Sequence, residues 1–385
     1  MFQPLKEFKI GRPQVYAGLM LLAFLGQALW VAGSRKFSSL EFQYVESGLP
    51  QRPGQEYRVT SPLTGWVAAL PFRLARQAAG DAMSQARFVP TPWMARLPFV
   101  AFGMWLGAAL WWVARRLFDD AGGYVALGLY CSSPAMVMIA SNIGPEIILA
   151  WSSFGLIYTA IGVAHTLYAP PRKWAPRIVL LGLSIGFALS TALWSFTLAL
   201  LALVFMLYLA PGRRLAALGV WLGASVVGLA VLAFFSWITR GWTLGPHGLI
   251  DPKISSKLLQ TLNFVFADGY FDVSRRLSLG SYLLVLFFIA ALTAYGSWAR
   301  ARYFGNTAPL ITGFSAVLLF SLVPAIYLWD ATLGLSFVFL FIGGVAADLL
   351  ETGFGRGVSR ILSAGLLLRA VLGLLALSRW IGTSV

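Results

Sequence analysis

The chain has 385 residues and only 14 acids, so each carboxylate calls for a reason. Two of them, Glu41 and Glu46, stand in SSLEFQYVESG, residues 38–48, directly after the first long apolar run. A third, Glu146, follows the turn ASNIGPE. Acids beside a membrane surface are either an active site or solvated loop charges. If residues 38–48 are helical, Glu41 shares a face with Tyr44, while Glu46 lies about 140° away around the axis. The two acids then do not act as a pair. Glu41 is the functional candidate, and Glu46 is read as a solvated partner of Arg35, Lys36 or Arg52. A second group of chemistry-bearing residues, Arg240, His247, Asp251, Lys253, Lys257, Asp268 and Asp272, falls in one Gly- and Pro-rich stretch. A lone histidine in a Gly-Pro turn is usually a solvated loop residue, which is the bland reading of His247. One cysteine, Cys131, allows no intrachain disulfide and no thiolate metal site. Two histidines rule against a His-rich metal centre.

The elements that position these groups follow from composition. Hydrophobic residues make up 58% of the chain and charged residues 11%. A soluble domain carries roughly 25% charged residues, so the solvent of this surface is lipid. Spans of about 20 apolar residues, with Lys and Arg in short loops marking the cytoplasmic side, give the topology. The fold class is an all-α polytopic membrane protein of about eleven transmembrane helices, read as a single membrane domain over residues 1–385. Lys6, Lys9 and Arg12 hold the N-terminus in the cytoplasm, and the run Val15 to Ala32 is a retained first span. Spans at about Leu97 to Val113 and Gly123 to Ile139 flank the basic turn ARRLFDD. Another runs from Ile147 to Ala164. Two segments between Arg177 and PGRR, residues 211–214, are short for full spans and read as a compressed hairpin turning near Ser190 and Thr191. Ala216 to Ile238, and stretches near 279–298, 309–328, 332–350 and 361–380, complete the set.

This topology leaves two long external segments, 33–96 and 239–278, rich in cations that anionic lipid headgroups or a phosphate-bearing lipid substrate would explain. In the first, Leu63, Trp66, Val67, Leu70 and Leu74 recur at helical spacing, the pattern of an interfacial amphipathic helix. Pro71 is placed to bend or divide it. In the second, KISSKLLQTLNFVF reads as another short interfacial helix. Arg369 lies near mid-span, where a cation costs at least about 2.5–3.5 kcal/mol. Its candidate partners are Asp330 and Asp348, and a structural ion pair or a subunit contact is favoured over catalysis. No nucleotide-binding loop, repeat or heptad pattern is present, and no nucleic-acid partner is expected.

The order Arg96-Leu97-Pro98, a span, Arg115-Arg116-Leu117-Phe118, a span, Ser133-Pro134 and then Pro145-Glu146 resembles the membrane half of GT-C glycosyltransferases. The branch is that of protein O-mannosyltransferases and aminoarabinose transferases, and the similarity covers about residues 15–210. The resemblance implies a multi-pass enzyme of the plasma (bacterial inner) membrane. It would move a sugar from a polyprenyl-phosphate carrier to an acceptor hydroxyl on the external face. An external carboxylate would take the hydroxyl proton, and cations or a divalent metal would stabilise the departing phosphate. On this basis Glu41 is the expected base or metal ligand. Glu146, Arg58, Arg240, His247, Lys253 and Lys257 are expected to shape the phosphate and sugar pocket. The chain departs from the pattern at Leu40, where the family carries an Asp, and at Ala192, where a lysine is frequent. It also stops before the extra-membrane C-terminal domain that many relatives have. The alternative is therefore a catalytically inactive GT-C-like subunit packed among other membrane subunits, since function resides in the site rather than the fold.

Overall fold

The computed structural model describes residues 11–49, 61–79, 91–168, 174–239, 254–269, 279–322, 331–352 and 355–382. These residues are helical almost throughout, and none lies in a strand. Among the described residues, seven helices are long and apolar enough to cross a membrane. They are α1 (Arg12–Ser34), α4 (Pro92–Cys131), α6 (Pro145–Thr166), α9 (Arg214–Thr239), α11 (Leu279–Ser297), α13 (Leu333–Leu350) and α14 (Gly355–Gly382). Shorter apolar helices are α7 (Ala175–Thr191), α8 (Phe196–Leu209) and α12 (Phe304–Leu322), while α2 (Ser39–Gly48), α3 (Pro62–Ala79), α5 (Pro134–Ala140) and α10 (Ile254–Ala267) lie between them in sequence.

The 40-residue α4 is two crossings. Its backbone leaves helical geometry at Phe118 and Asp119, the latter at φ 61°. Past that point the chain doubles back. Tyr130 donates its hydroxyl to the Gly103 carbonyl at 2.7 Å, and Gly123 lies against Arg115 and Trp111. The basic turn ARRLFDD is therefore the bend the sequence places there, and Arg115 pairs with Asp120 across it. Counting α4 twice and adding α7, α8 and α12 recovers the eleven crossings.

α7 has 17 residues and α8 has 14, lengths of about 25 and 21 Å at 1.5 Å per residue. Both fall short of the roughly 30 Å hydrocarbon layer. Their hairpin turns at Thr191–Ala192, with Ala192 extended at φ −153°. α7 gains its hold from α9 instead. A Cβ on Gly182 would lie 2.6 Å from Val227 Cβ, and one on Gly186 would lie 2.5 Å from Val231 Cβ. In lipid, apolar surface alone does not drive helices together, so small residues that admit close packing do the work.

α13 forms the centre, 83% buried within its most apolar window, against α4, α6 and α12. Gly343 approaches the Gly122 carbonyl, and Phe337 stacks near Tyr158 and packs against Phe154. α1, α11 and α14 ring the bundle and present Leu22, Leu286 and Leu367 outward, as lipid-facing helices must.

α3 stays one helix through Pro71. Leu63 and Val67 are buried as their spacing requires, but so are Ala68, Ala69 and Phe72, while Leu74 is exposed. The buried arc is wider than the amphipathic reading because α3 packs on α2 as well as on α4 and α9. At the α2–α3 crossing a Cβ on Gly48 would sit 1.9 Å from the Gly65 carbonyl oxygen. Nothing larger than glycine fits there.

Candidate functional site

Residues 38–48 do form a helix, and its start is chemically fixed. Ser38 accepts the Glu41 N–H on its hydroxyl at 3.1 Å, and Glu41 reaches back to the Ser38 N–H at 2.9 Å. This is a capping box. The same carboxylate then meets Arg96, which α4 brings in from 55 positions away. Nε donates to Glu41 Oε1 at 2.9 Å and Nη2 to Oε2 at 2.8 Å. The Ile143 N–H adds a fourth bond to Oε1 at 3.1 Å. Glu41 is 4% exposed and Arg96 0%.

Arg96 is saturated too. Nη1 donates to the carbonyls of Ala32 and Arg35 at 2.8 and 2.7 Å, and Nη2 donates to that of Lys36 at 2.8 Å. Its five N–H groups thus have five acceptors, the full capacity of a guanidinium. Burial alone would raise the Glu41 pKa. The hydrogen bond and charge of Arg96, with the N–H groups of Ser38 and Ile143, outweigh it and hold the carboxyl below its ordinary value. A general base works best with a pKa near the operating pH and an open lone pair. The geometry gives Glu41 neither. It ties the end of α1, the start of α2, the start of α4 and the turn before α6 into one knot.

The neighbouring position carries the contrast. Leu40, where the resemblance places an Asp, is 57% exposed. At that position the outward-facing side chain is apolar.

Glu146 sits in the first turn of α6, three residues past Ile143. It is part-exposed and lies within electrostatic reach of Glu41. Its carboxylate curls toward its own N–H and overhangs Gly144. No described cation pairs with it. Beside this turn Arg35 donates Nη1 to Asn142 Oδ1 at 2.7 Å and lays its guanidinium 3.8 Å from the centroid of Trp380 in α14. Arg35 is therefore not the partner of Glu46, for which no ion pair is seen among the described residues.

Of the remaining candidates, Arg58, Arg240, His247 and Lys253 lie outside the described residues. Lys257 is in α10, with its side chain outside them. No group of three or more His, Cys, Asp or Glu among the described residues is placed to hold a metal ion. Among the described residues, Glu41 is spent on Arg96 and Glu146 is the carboxylate left at this end, a set that by itself does not hold a divalent ion.

A second buried ion pair escaped the sequence. Arg369 pairs with Asp268, both 0% exposed, an acid the sequence reading did not name as its partner. Asp330 lies outside the described residues, and Asp348 accepts from Asn306 Nδ2 at 3.0 Å. Asp268 follows α10 and docks where α4 breaks before α5. Its carboxylate takes the Ser133 hydroxyl, and its carbonyl takes the Ala135 N–H at 3.3 Å. Arg369 also donates to Ser132 Oγ and the Gly280 carbonyl, both at 3.3 Å. Gly269 has φ 73° and would place a Cβ 2.6 Å from the Ala135 nitrogen, so glycine is required by conformation and by space. Irregular backbone inside a bilayer persists only where protein satisfies it, and this cluster does so. The signal that could have found it is the pairing of a mid-span cation with an Asp-Gly turn signal.

The long helices, the doubled α4, the short α7–α8 hairpin and the packed pair α2 and α3 can be compared with solved structures. ArnT from Cupriavidus metallidurans in the apo state superposes with a TM-score of 0.60 at 13% identity, covering 97% of this chain and 77% of that one. The same protein bound to undecaprenyl phosphate gives 0.63 at 12%, covering 96% and 76%. The oligosaccharyltransferase of Archaeoglobus fulgidus gives 0.56 at 13%, covering 95% of this chain and 56% of that one. The chain has a GT-C-like fold. No protein-family model and no curated protein matches its sequence. The GT-C resemblance read from residues 15–210 thus extends, at the level of fold, to nearly the whole chain.

Proposed function

We propose that this GT-C-like protein is a membrane glycosyltransferase. It would move a sugar from a polyprenyl-phosphate carrier to an acceptor on the external face of the bacterial inner membrane, with its N-terminus in the cytoplasm. The observation that carries the reading is the arrangement at the Glu41 end of the bundle. One part-exposed carboxylate, Glu146, stands there without a described cation partner, on a wall that Glu41 and Arg96 make rigid. Glu146 takes the proton of the acceptor hydroxyl. The hydroxyl oxygen bonds to the anomeric carbon, and the bond from that carbon to the phosphate oxygen breaks, its electron pair leaving with the phosphate. Positive charge supplied by Arg58, Arg240, His247, Lys253 and Lys257 of the two long loops stabilises that leaving group. Glu41 serves as a positioning residue through Arg96.

A second reading has its own observation. Leu40, exposed where the resemblance carries an Asp, can neither accept a proton nor bind a metal. This favours a non-catalytic GT-C-like subunit of a larger membrane assembly. Transfer from a labelled polyprenyl-phosphate sugar to endogenous acceptors in membranes separates the two. The enzyme reading expects transfer by the parent chain, its loss in Glu146→Gln, and in Glu41→Gln a loss no greater than the fall in folded protein. Full transfer by Glu146→Gln removes that residue as the base. Absence of transfer by the parent chain, with co-purifying membrane partners, establishes the subunit reading.

A further inference from the structure

The end of the bundle opposite Glu41, where α4 bends and α13 gives way to α14, is rich in arginine. Most of these side chains are engaged. Arg115 pairs with Asp120 and Arg300 with Glu351. Arg177 and Arg213 donate to the carbonyls of Thr166 and Leu167 at 3.1 and 3.2 Å. Arg356 and Arg360 differ. Both are exposed, and neither meets an acid or a carbonyl among the described residues. Asp348 and Glu351, the acids nearest in the chain, are engaged by Asn306 and Arg300. With Leu350, Thr352, Gly355 and Ser359, the two arginines line an open cleft of about 580 Å³. Small-ligand sites span roughly 300–1,000 Å³.

α13 holds this cleft in shape. Gly355 donates its N–H to the Thr352 carbonyl at 2.9 Å, and a Cβ on it would lie 2.2 Å from the Leu350 carbonyl oxygen. Thr352 donates its hydroxyl to the Leu349 carbonyl at 2.6 Å. The start of α14 is thereby set against the end of α13. Arg356 and Arg360 stand one helical turn apart, so they leave α14 on the same side.

That side continues as a lipid-facing stripe. Ser363, Leu367, Val371 and Leu374 fall within about 60° of Arg356 around the helix axis, and all four are exposed. At 1.5 Å per residue, Leu367 stands about 10 Å and Val371 about 17 Å from the level of Arg360. One leaflet of a roughly 30 Å hydrocarbon layer has this depth. A cationic cleft above an apolar stripe one leaflet deep matches a molecule with a phosphate at one end and acyl chains behind it. A free phosphate would fill the cleft and leave the stripe idle. Basic pockets between transmembrane helices recognise anionic headgroups in this way.

We infer that the Arg356–Arg360 cleft binds the headgroup phosphate of an anionic phospholipid, from the leaflet at the α4-bend end, with its chains along Leu367 and Val371. The site lies at the other end of the bundle from Glu146. It goes beyond the transferase reading and holds equally for an enzyme and for a non-catalytic subunit.

The test uses the full chain in nanodiscs of mixed phosphatidylcholine and phosphatidylglycerol, with the lipids retained after detergent extraction counted by mass spectrometry. The parent chain should retain phosphatidylglycerol in preference to phosphatidylcholine. Arg356→Gln with Arg360→Gln should lower that preference by about tenfold or more, the order expected of two cations at a membrane surface. Arg214→Gln with Arg302→Gln removes two other exposed cations of the same end and should leave the preference unchanged. Ser359→Trp, which keeps both charges and fills the cleft, should lower the preference too, and serves if the Arg356 and Arg360 double variant does not fold. Equal loss in the two arginine double variants makes the effect a general field of the basic face and overturns the site. Unchanged preference in the Arg356 and Arg360 double variant, or in Ser359→Trp, also overturns it. Inorganic phosphate should fail to displace phosphatidylglycerol from the parent chain; displacement reassigns the cleft to free phosphate and overturns the lipid assignment.

Discussion

Glu41→Gln is the substitution on which a catalytic and a structural acid differ most. The amide keeps the shape of the carboxylate and removes its charge. All four hydrogen bonds to Glu41 come from N–H donors: two from Arg96, one from Ser38 and one from Ile143. An amide offers one oxygen and one NH2, so whichever way it turns, two of the four donors face another donor. The Arg96 guanidinium, fully buried, also loses its counter-charge. Removing one partner of a buried pair costs about 3–5 kcal/mol. For a chain of this size that is an unfolding shift on the order of 4–6 °C. The assay is thermal unfolding in one detergent at one scan rate, followed by intrinsic tryptophan fluorescence. Glu46→Gln, whose side chain enters no described ion pair, is the control and should stay within about 0.5 kcal/mol of the parent. The pH dependence carries a sign. Because folding depresses the Glu41 pKa below its ordinary value of 4.5, its contribution is complete above that value. It is lost as pH falls through the folded value. The gap between parent and Glu41→Gln should therefore be widest near neutrality and close in acid. A Glu41→Gln protein that melts with the parent at pH 7 refutes the structural role.

Asp268→Asn removes a buried counter-charge of Arg369, which is 0% exposed, and should cost about 3–5 kcal/mol, whereas the double change Asp268→Leu with Arg369→Met should recover most of it. Urea or thermal unfolding of the single and double variants decides this. Gly186→Val forces side-chain atoms into Val231 and should destabilise by about 1–3 kcal/mol or separate α7 from α9, which a cross-linking pair across that seam would register. Cys131 is buried near the Ser132–Ser133 break; maleimide should leave it unmodified in the folded protein and label it faster in Asp268→Asn, measured by mass shift. Rapid labelling of the parent chain would contradict the packing of that break.

The bundle was readable because lipid imposes a simple rule, an apolar run long enough to cross, and each crossing carries that signal within its own residues. The doubled α4 was readable from ARRLFDD, and the short α7–α8 hairpin from the distance between two basic turns. The partner of Glu41 was not. Arg96 was visible as part of a motif, but nothing local connects it to an acid 55 positions away. The Ser38–Glu41 spacing of a capping box was on the page and marks that carboxylate as one already engaged. Arg369 announced a buried partner without naming it, since Asp268 comes from an Asp-Gly turn whose depth the sequence does not encode. Long-range electrostatic pairs are decided by the packing that brings them together, and only afterwards do they stabilise it.

The burial of α13 bears on the order in which the molecule can be assembled. α13 begins at Leu333, after nine of the eleven crossings have left the ribosome, yet it packs on the early α4 and α6 as well as on the adjacent α12. Until it arrives, the surfaces around Gly122, Phe154 and Tyr158 have only lipid against them. The early helices must therefore wait in a loosened arrangement, open enough for a late apolar rod to slide into the middle. A nascent chain cut before Leu333 would hold its helices in the bilayer and lack the keystone that closes them.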